Sequence, residues 1–216
     1  MSKMEKNMRE NYWIIMADII KSTDYEGFIL QEKFKEAVNY INKKLKKNLI
    51  SPLTITLGDE FQGVTNSLKY SILIIFQLEE YLLKNNANFA LRYVINYGKI
   101  DTPINSEIAY GMLGEGLSHA RKMLENLKKT DKKYEIETCK KMKNKALNDA
   151  FVILQSIQSR WSSKADKELV SLFIQYHDYK LIAAKIKVTR SQIWKKEKSL
   201  NISSYFAIKN VITYLA

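Results

Sequence analysis

Two stretches of this chain place carboxylates where they could do chemistry. In "WIIMADIIKST" an apolar run over residues 12–17 stops at Asp18, and in "TITLGDEFQG" another stops at Gly58-Asp59-Glu60. If the two strands are neighbours in a sheet, Asp18 and Asp59 approach each other. Close carboxylates repel unless a cation lies between them, and hard oxygen ligands favour Mg²⁺ or Mn²⁺. Such a pair suits two metal ions facing a nucleoside triphosphate. Lys21, Ser22 and Thr23 follow Asp18 at a strand-to-helix turn, where backbone N–H groups and the lysine charge can receive phosphate oxygens. Glu60 is a weaker metal candidate. The competing reading of Asp59 and Glu60 is a solvated hairpin tip.

A second constellation lies near the C-terminus, in "LIAAKIKVTRSQIWKKEKSL". Its spacing predicts a helix-turn-helix. Ile182, Ala183 and Ile186 form the inner face of the first helix, and Val188 plugs the turn. Thr189 caps the second helix, and Ile193 faces back to the core. The outer face then carries Arg190, Ser191, Gln192, Lys195 and Lys196, residue types that with Thr189 reach base edges and phosphates in a major groove. Lys187 stands where glycine is usual, so it is expected to adopt the left-handed backbone region. The competing reading is a helical hairpin with a solvated basic face.

The elements that position these groups follow from hydrophobic spacing. Residues 12–17 read as a strand buried on both faces. Phe28, Phe34, Val38, Ile41 and Leu45 define an amphipathic helix. Pro52 opens a strand over residues 53–57, and residues 61–65 return as the arm of a hairpin. Leu68, Ile72, Ile75 and Phe76 mark a helix ending near the "KNNAN" break, and residues 89–98 form another strand. This order predicts an α+β fold, a ferredoxin-like palm with helices on one face of a mostly antiparallel sheet. "YGMLGEG" holds three of the seven glycines and reads as a loop with special backbone demands. A helix over residues 117–127 and a closing strand over 133–138 complete this unit. Beyond Cys139, Leu147, Phe151, Leu154, Ile157 and Trp161 define a connecting helix. The expected division is 1–139 for the palm and 140–216 for the helical unit.

Charge supports a polyanionic partner for the second unit. The formal net charge is +12. Residues 1–129 hold 18 Lys/Arg against 15 Asp/Glu, whereas residues 130–216 hold 17 against 8. The basic surplus therefore sits at the C-terminal end, and DNA is the simplest partner. A single cysteine excludes a disulfide framework and a cysteine-based zinc site, which fits a cytoplasmic protein. No apolar run approaches a membrane span, and the N-terminal residues lack the apolar core of a secretory signal.

"MADIIKST", "TLGDEFQG", "RYVINYGKI" and "YGMLGEGLSHARKM" together resemble the palm core of class III nucleotidyl cyclases. That resemblance implies metal binding at the positions of Asp18 and Asp59. "GDEF" is also similar to the diguanylate cyclase signature, but Leu57 replaces its first glycine. The whole chain, with "RWSSKADKELV" and the helix-turn-helix, more closely resembles the SatD family. Class III cyclases use an asparagine and, four residues later, an arginine on the helix after the "YG" loop. Here Ser118 and Lys122 match those positions, with Arg121 one residue out of register, and lysine does not reproduce the bidentate guanidinium. No lysine–aspartate pair for purine selection can be read. The resemblance thus implies nucleotide contacts at Ser118, Arg121 and Lys122 without efficient cyclase turnover, and it implies a homodimer.

The leading expectation is a DNA-binding regulator with a nucleotide- or divalent-metal-binding sensor unit. The alternatives are a nucleotidyl cyclase and an inactive palm used as a dimerisation scaffold. Among the remaining residues, His119, His177 and Cys139 read as structural, Trp161 and Trp194 as core or rim packing. Arg92 reads as either reaching the acidic site or extending to the surface.

Overall fold

The computed structural model describes residues 10–24 and 27–216, with the side chain of Thr23 outside the described part. Strand β1 (Asn11–Ile19) leads through a 3₁₀ turn (Ser22–Asp24) into α1 (Gly27–Lys44). Strands β2 (Leu49–Ile55) and β3 (Glu60–Thr65) form a hairpin, followed by α2 (Leu68–Lys84) and β4 (Leu91–Lys99). Helix α3 (Glu115–Leu127) and β5 (Tyr134–Glu137) complete the sheet unit. The strands lie in the order β2-β3-β1-β4-β5, with β1 antiparallel to both neighbours and β5 parallel to β4. The fold is α+β, as its spacing predicts.

Helices cover both faces of the sheet, not one. Ile15, Ala17 and Ile19 of β1 join a core with α1 and α2, whereas Ile14 and Met16 join a second core with α3. That arrangement explains the unbroken apolar run of β1: alternate side chains enter two different cores. The strand of residues 53–57 begins earlier, at Leu49, and Pro52 lies inside β2 rather than before it. Proline is tolerated there because β2 is an edge strand with register shifts at residues 49–54. Phe28 is largely exposed, so the buried stripe of α1 starts at Leu30.

The glycines of "YGMLGEG" allow two backbones to meet. A Cβ on Gly116 would lie 2.5 Å from the carbonyl carbon of Gly98, and one on Gly114 would lie 2.5 Å from the carbonyl oxygen of Lys99. The start of α3 therefore sits directly on the end of β4. The Asn96 side chain fixes that approach by donating to the Gly116 carbonyl at 2.9 Å.

The C-terminal helices are α4 (Lys141–Gln158), α5 (Lys164–Tyr176), α6 (Tyr179–Lys185), α7 (Arg190–Ser199) and α8 (Ile202–Leu215). One hydrophobic core continues across residue 140. Phe76 of α2 stacks on Phe151 of α4, with ring centroids 6.4 Å apart, and Phe151 also meets Tyr134 of β5 at 4.7 Å. Trp161 is buried, contacts Tyr205 of α8 and donates its indole N–H to the Leu200 carbonyl at 2.9 Å. Glu79 and Glu80 of α2 extend the junction: Glu79 accepts from Tyr93 and Gln158, and Glu80 accepts from Tyr205 and Lys209.

Candidate functional site

The acidic motif is built by strand register. Asp18 stands opposite Glu60 on β3 and opposite Arg92 on β4. Cross-strand partners project from the same face, so Glu60, Asp18 and Arg92 form a row beneath α3. Asp18 and Glu60 are only 3% and 4% exposed. Buried carboxylates require partners, and three cations provide them. Arg92 Nη1 lies 3.2 Å from Asp18 Oδ2. Arg121 and Lys128, seven residues apart on one side of α3 and its C-cap, descend onto Glu60, Lys128 at 2.8 Å from Oε1 and Arg121 on Oε2. Lys128 Nζ also lies 3.7 Å from Asp18 and 2.9 Å from Glu125.

Electrostatics in this row are tightly balanced. Burial pushes the Asp18 carboxyl up to about 6, against the opposing pull of Arg92 and Lys128. Partial burial opposes the charge on Lys128, but hydrogen bonds to Glu60 and Glu125 hold its pKa above the ordinary lysine value. Two polar atoms here, Thr56 Oγ1 and Arg92 Nε, are buried without a hydrogen-bond partner among the described residues.

Asp59 occupies a different position from Asp18. It lies in the turn of the β2–β3 hairpin, after Gly58 at φ +82°. Its carboxylate accepts from Ser22 Oγ at 2.7 Å, and its carbonyl accepts from Ile19 N at 3.0 Å. The two motifs therefore meet, but through Ser22 and the backbone. The acid in register with Asp18 is Glu60. Lys128 is the residue that motif reading misses, and Glu60, the weaker candidate, takes the place expected of Asp59. The available signals were the alternation Glu60-Gln62-Val64 on β3 and the seven-residue spacing from Arg121 to Lys128.

Mg²⁺ and Mn²⁺ are the ions this donor set would suit by type. Carboxylate oxygens are the right chemistry, but those of Asp18 and Glu60 are already bonded to Arg92, Arg121 and Lys128. No cluster of three or more His, Cys, Asp or Glu side chains suited to a metal occurs among the described residues. As arranged, the row is filled by the protein's own cations, and a divalent ion would have to displace them. Of the residues expected to contact a nucleotide, Lys21 is exposed in the left-handed region at φ 54°, and Ser22 is engaged with Asp59. The Thr23 side chain lies outside the described residues. Ser118 and Lys122 are exposed on α3, while Arg121 alone turns into the row.

The C-terminal motif has the expected local geometry. Thr189 Oγ1 accepts from Gln192 N, and Gln192 Oε1 accepts from Thr189 N at 2.9 Å, a reciprocal capping box at the start of α7. Lys187 adopts φ 57°. Ile182, Ala183 and Ile193 are buried. Ile186 and Val188 differ from expectation, at 40% and 39% exposure, because they line an open groove against α5 instead of closing on the core. Arg190, Ser191 and Lys195 are exposed, and neither Arg190 nor Lys195 is ion-paired among the described residues. Lys196 is held by Asp166 at 2.9 Å, and Gln192 is engaged in its cap. Trp194 is half-exposed with Lys198 Nζ 5.8 Å from its ring centre, whereas Trp161 is core. His119 pairs with Glu137 at 2.9 Å, His177 caps α5 at φ 54°, and Cys139 is exposed. No helix among the described residues is long and apolar enough to cross a membrane.

Sheet, flanking helices and C-terminal helical unit define the class: an α+β chain with a five-stranded mixed sheet continued by an all-α segment. The model of the SatD family matches residues 12–216, and the chain belongs to that family. No curated protein matches the sequence. Among solved structures the chain is weakly similar to one described as a bacterial light-regulated adenylyl cyclase, at 13% identity and a TM-score of 0.45. That match covers 59% of this chain and 43% of the other, so the chain spans less than half of that structure.

Proposed function

We propose that this protein is a DNA-binding regulator in which α6 and α7 act as a helix-turn-helix and the sheet unit acts as a ligand-responsive palm. The observation that carries the reading is α7 itself. It is a capped helix behind a left-handed turn, and it presents Arg190, Ser191 and Lys195 on an exposed face. Positive charge fixes such a helix on phosphates, and polar side chains near its start read base edges. The reading is tested by fluorescence anisotropy of the full chain on duplex DNA at several salt concentrations. Affinity should fall steeply as salt rises, and absence of duplex binding at low salt would sink it.

For the sheet unit, the β2-β3-β1-β4 order supports the reading as a ferredoxin-like split βαβ palm. The proposed ligand is a nucleoside triphosphate with Mg²⁺ or Mn²⁺. The divalent ion would take the Asp18 and Glu60 carboxylates, and the released Arg121 and Lys128 would take phosphate oxygens. Because those cations already neutralise the acids, a second reading is favoured over catalysis: a palm retained as a scaffold, including for dimerisation. Thermal shift of the full chain with a triphosphate plus Mn²⁺ separates the two, since only the ligand-responsive palm is stabilised.

A further inference from the structure

A cavity of about 80 Å³ lies where the sheet unit meets the C-terminal helices. Its polar lining is Glu79 of α2, Lys133 at the entry to β5, Gln158 at the end of α4 and Lys167 of α5. Leu82, Phe89 and Trp161 supply apolar surface. Trp161 offers only its ring, because the Leu200 carbonyl takes its indole N–H. The polar groups are fixed without being saturated. Glu79 Oε1 accepts from the Tyr93 hydroxyl at 3.0 Å, and Oε2 accepts from Gln158 Nε2 at 3.2 Å. Each carboxylate oxygen has two lone pairs, so each can accept once more. Gln158 is locked in turn, since its Oε1 accepts from the Tyr134 hydroxyl at 2.8 Å. Lys133 is held by its backbone: its N–H donates to Gln155 Oε1 at 2.8 Å, and its carbonyl accepts from Tyr93 N at 2.7 Å. Among the described residues, neither the Lys133 nor the Lys167 ammonium is ion-paired or hydrogen-bonded. Both act on Glu79 only at a distance, and burial raises the Glu79 pKa against their pull.

One carboxylate and two ammonium groups therefore surround a single cavity without closing on one another. A simple anion there would be repelled by Glu79, and a simple cation by the two lysines. An occupant that carries both charges satisfies all three groups. We propose that this cavity binds a small zwitterion, an α-amino acid whose ammonium donates to Glu79 and whose carboxylate is held by Lys133 and Lys167. Size restricts its side chain. An enclosed cavity of about 150 Å³ accepts benzene. Roughly half that volume, with Glu79 and both lysines partly exposed at its edge, suits glycine or alanine and excludes leucine. The charges and volume of the cavity carry this site whether or not α7 reads DNA, and it shares no residue with the Asp18–Glu60 row.

The experiment is equilibrium dialysis of the full chain with radiolabelled L-alanine, competed by unlabelled L-alanine, L-leucine, acetate and ethylamine. Saturable binding of one alanine per chain is expected, with leucine, acetate and ethylamine each at least roughly tenfold weaker as competitors. Lys133→Met and Lys167→Met should each weaken alanine by about tenfold. Glu79→Gln should weaken alanine similarly and narrow its advantage over acetate, because the repulsion of a bare anion disappears. Circular dichroism verifies that each variant is folded. Glu79 also holds Tyr93 and Gln158, so the partly exposed Lys167→Met carries the test if Glu79→Gln does not fold. Absence of saturable alanine binding at about 10 mM ligand leaves the cavity to water and overturns the proposal. Acetate competing as well as alanine assigns the cavity to simple anions and overturns it too. Alanine binding unchanged in folded Lys167→Met and Lys133→Met does the same.

Discussion

Asp18 of β1 and Glu60 of β3 stand opposite each other in the sheet, both buried, with their charges met by Arg92, Arg121 and Lys128. Two acids in register would repel across an ordinary sheet pair. Here the repulsion is cancelled from β4 and from α3, so the row ties the helix to the sheet.

Removing one cation should therefore cost stability. Arg121→Ala leaves Glu60 with Lys128 alone and is expected to destabilise the fold by about 2–4 kcal/mol. Adding Glu60→Gln to Arg121→Ala should recover much of that loss, because the uncompensated charge disappears. Urea unfolding of the double-mutant cycle measures the coupling, and additive effects would show that the pair does not interact.

The raised Asp18 pKa makes a signed prediction. In the unfolded chain Asp18 titrates near 3.8, and in the folded protein at about 6. Between those values the folded state holds the proton more tightly, so this residue's contribution to stability falls as pH rises and is fully lost above about 6. Asp18→Asn cannot titrate. The stability of the variant relative to the native chain should therefore improve by up to about 3 kcal/mol from pH 3.5 to pH 7. A pH-independent difference would contradict the buried, proton-holding carboxyl.

Gly116→Ala should fail at the α3–β4 contact. Its Cβ would lie 2.5 Å from the backbone of Gly98, which cannot rotate away. An overpacking cost of roughly 1–3 kcal/mol is expected, read as a lower thermal midpoint. Gly111, with no atom within 4 Å of an added Cβ, provides a comparison in which only its positive φ opposes alanine.

Thr189→Ala removes the capping box of α7 and should cost about 1 kcal/mol, localised to the C-terminal unit. Amide hydrogen exchange should quicken in the first turn of α7 and remain unchanged in β1 and β4. Uniform acceleration across both units would mean that the cap is coupled to global unfolding.

Much of the fold was legible because each element has a clear period. The apolar run ending at Asp18, the 3.6-residue spacing of α2 and the Thr189 cap all lie where local patterns place them. The row itself was only half legible. "GDEF" draws attention to Asp59, yet the register of β3 against β1 decides which acid meets Asp18, and a one-residue slip would turn every side chain of β3 to the other face. Arg121 looked out of register against a cyclase helix, but its place is set by a close Gly98–Gly116 contact that no single-sequence spacing encodes. The exposure of Ile186 and Val188 was also invisible, because it depends on how far α5 stands from the turn.

The most direct test of the regulator reading is the salt dependence of duplex DNA binding by the full chain and three variants, Arg190→Ala, Lys195→Ala and Lys196→Ala. The account predicts that loss of Arg190 or Lys195, neither of them ion-paired among the described residues, lowers affinity and reduces the log–log salt slope by about one each. Lys196→Ala should change the slope less, since Asp166 already holds that ammonium. Native duplex binding that is weak, insensitive to salt, or unaltered by Arg190→Ala and Lys195→Ala would contradict the assignment of α7 as the DNA-reading helix.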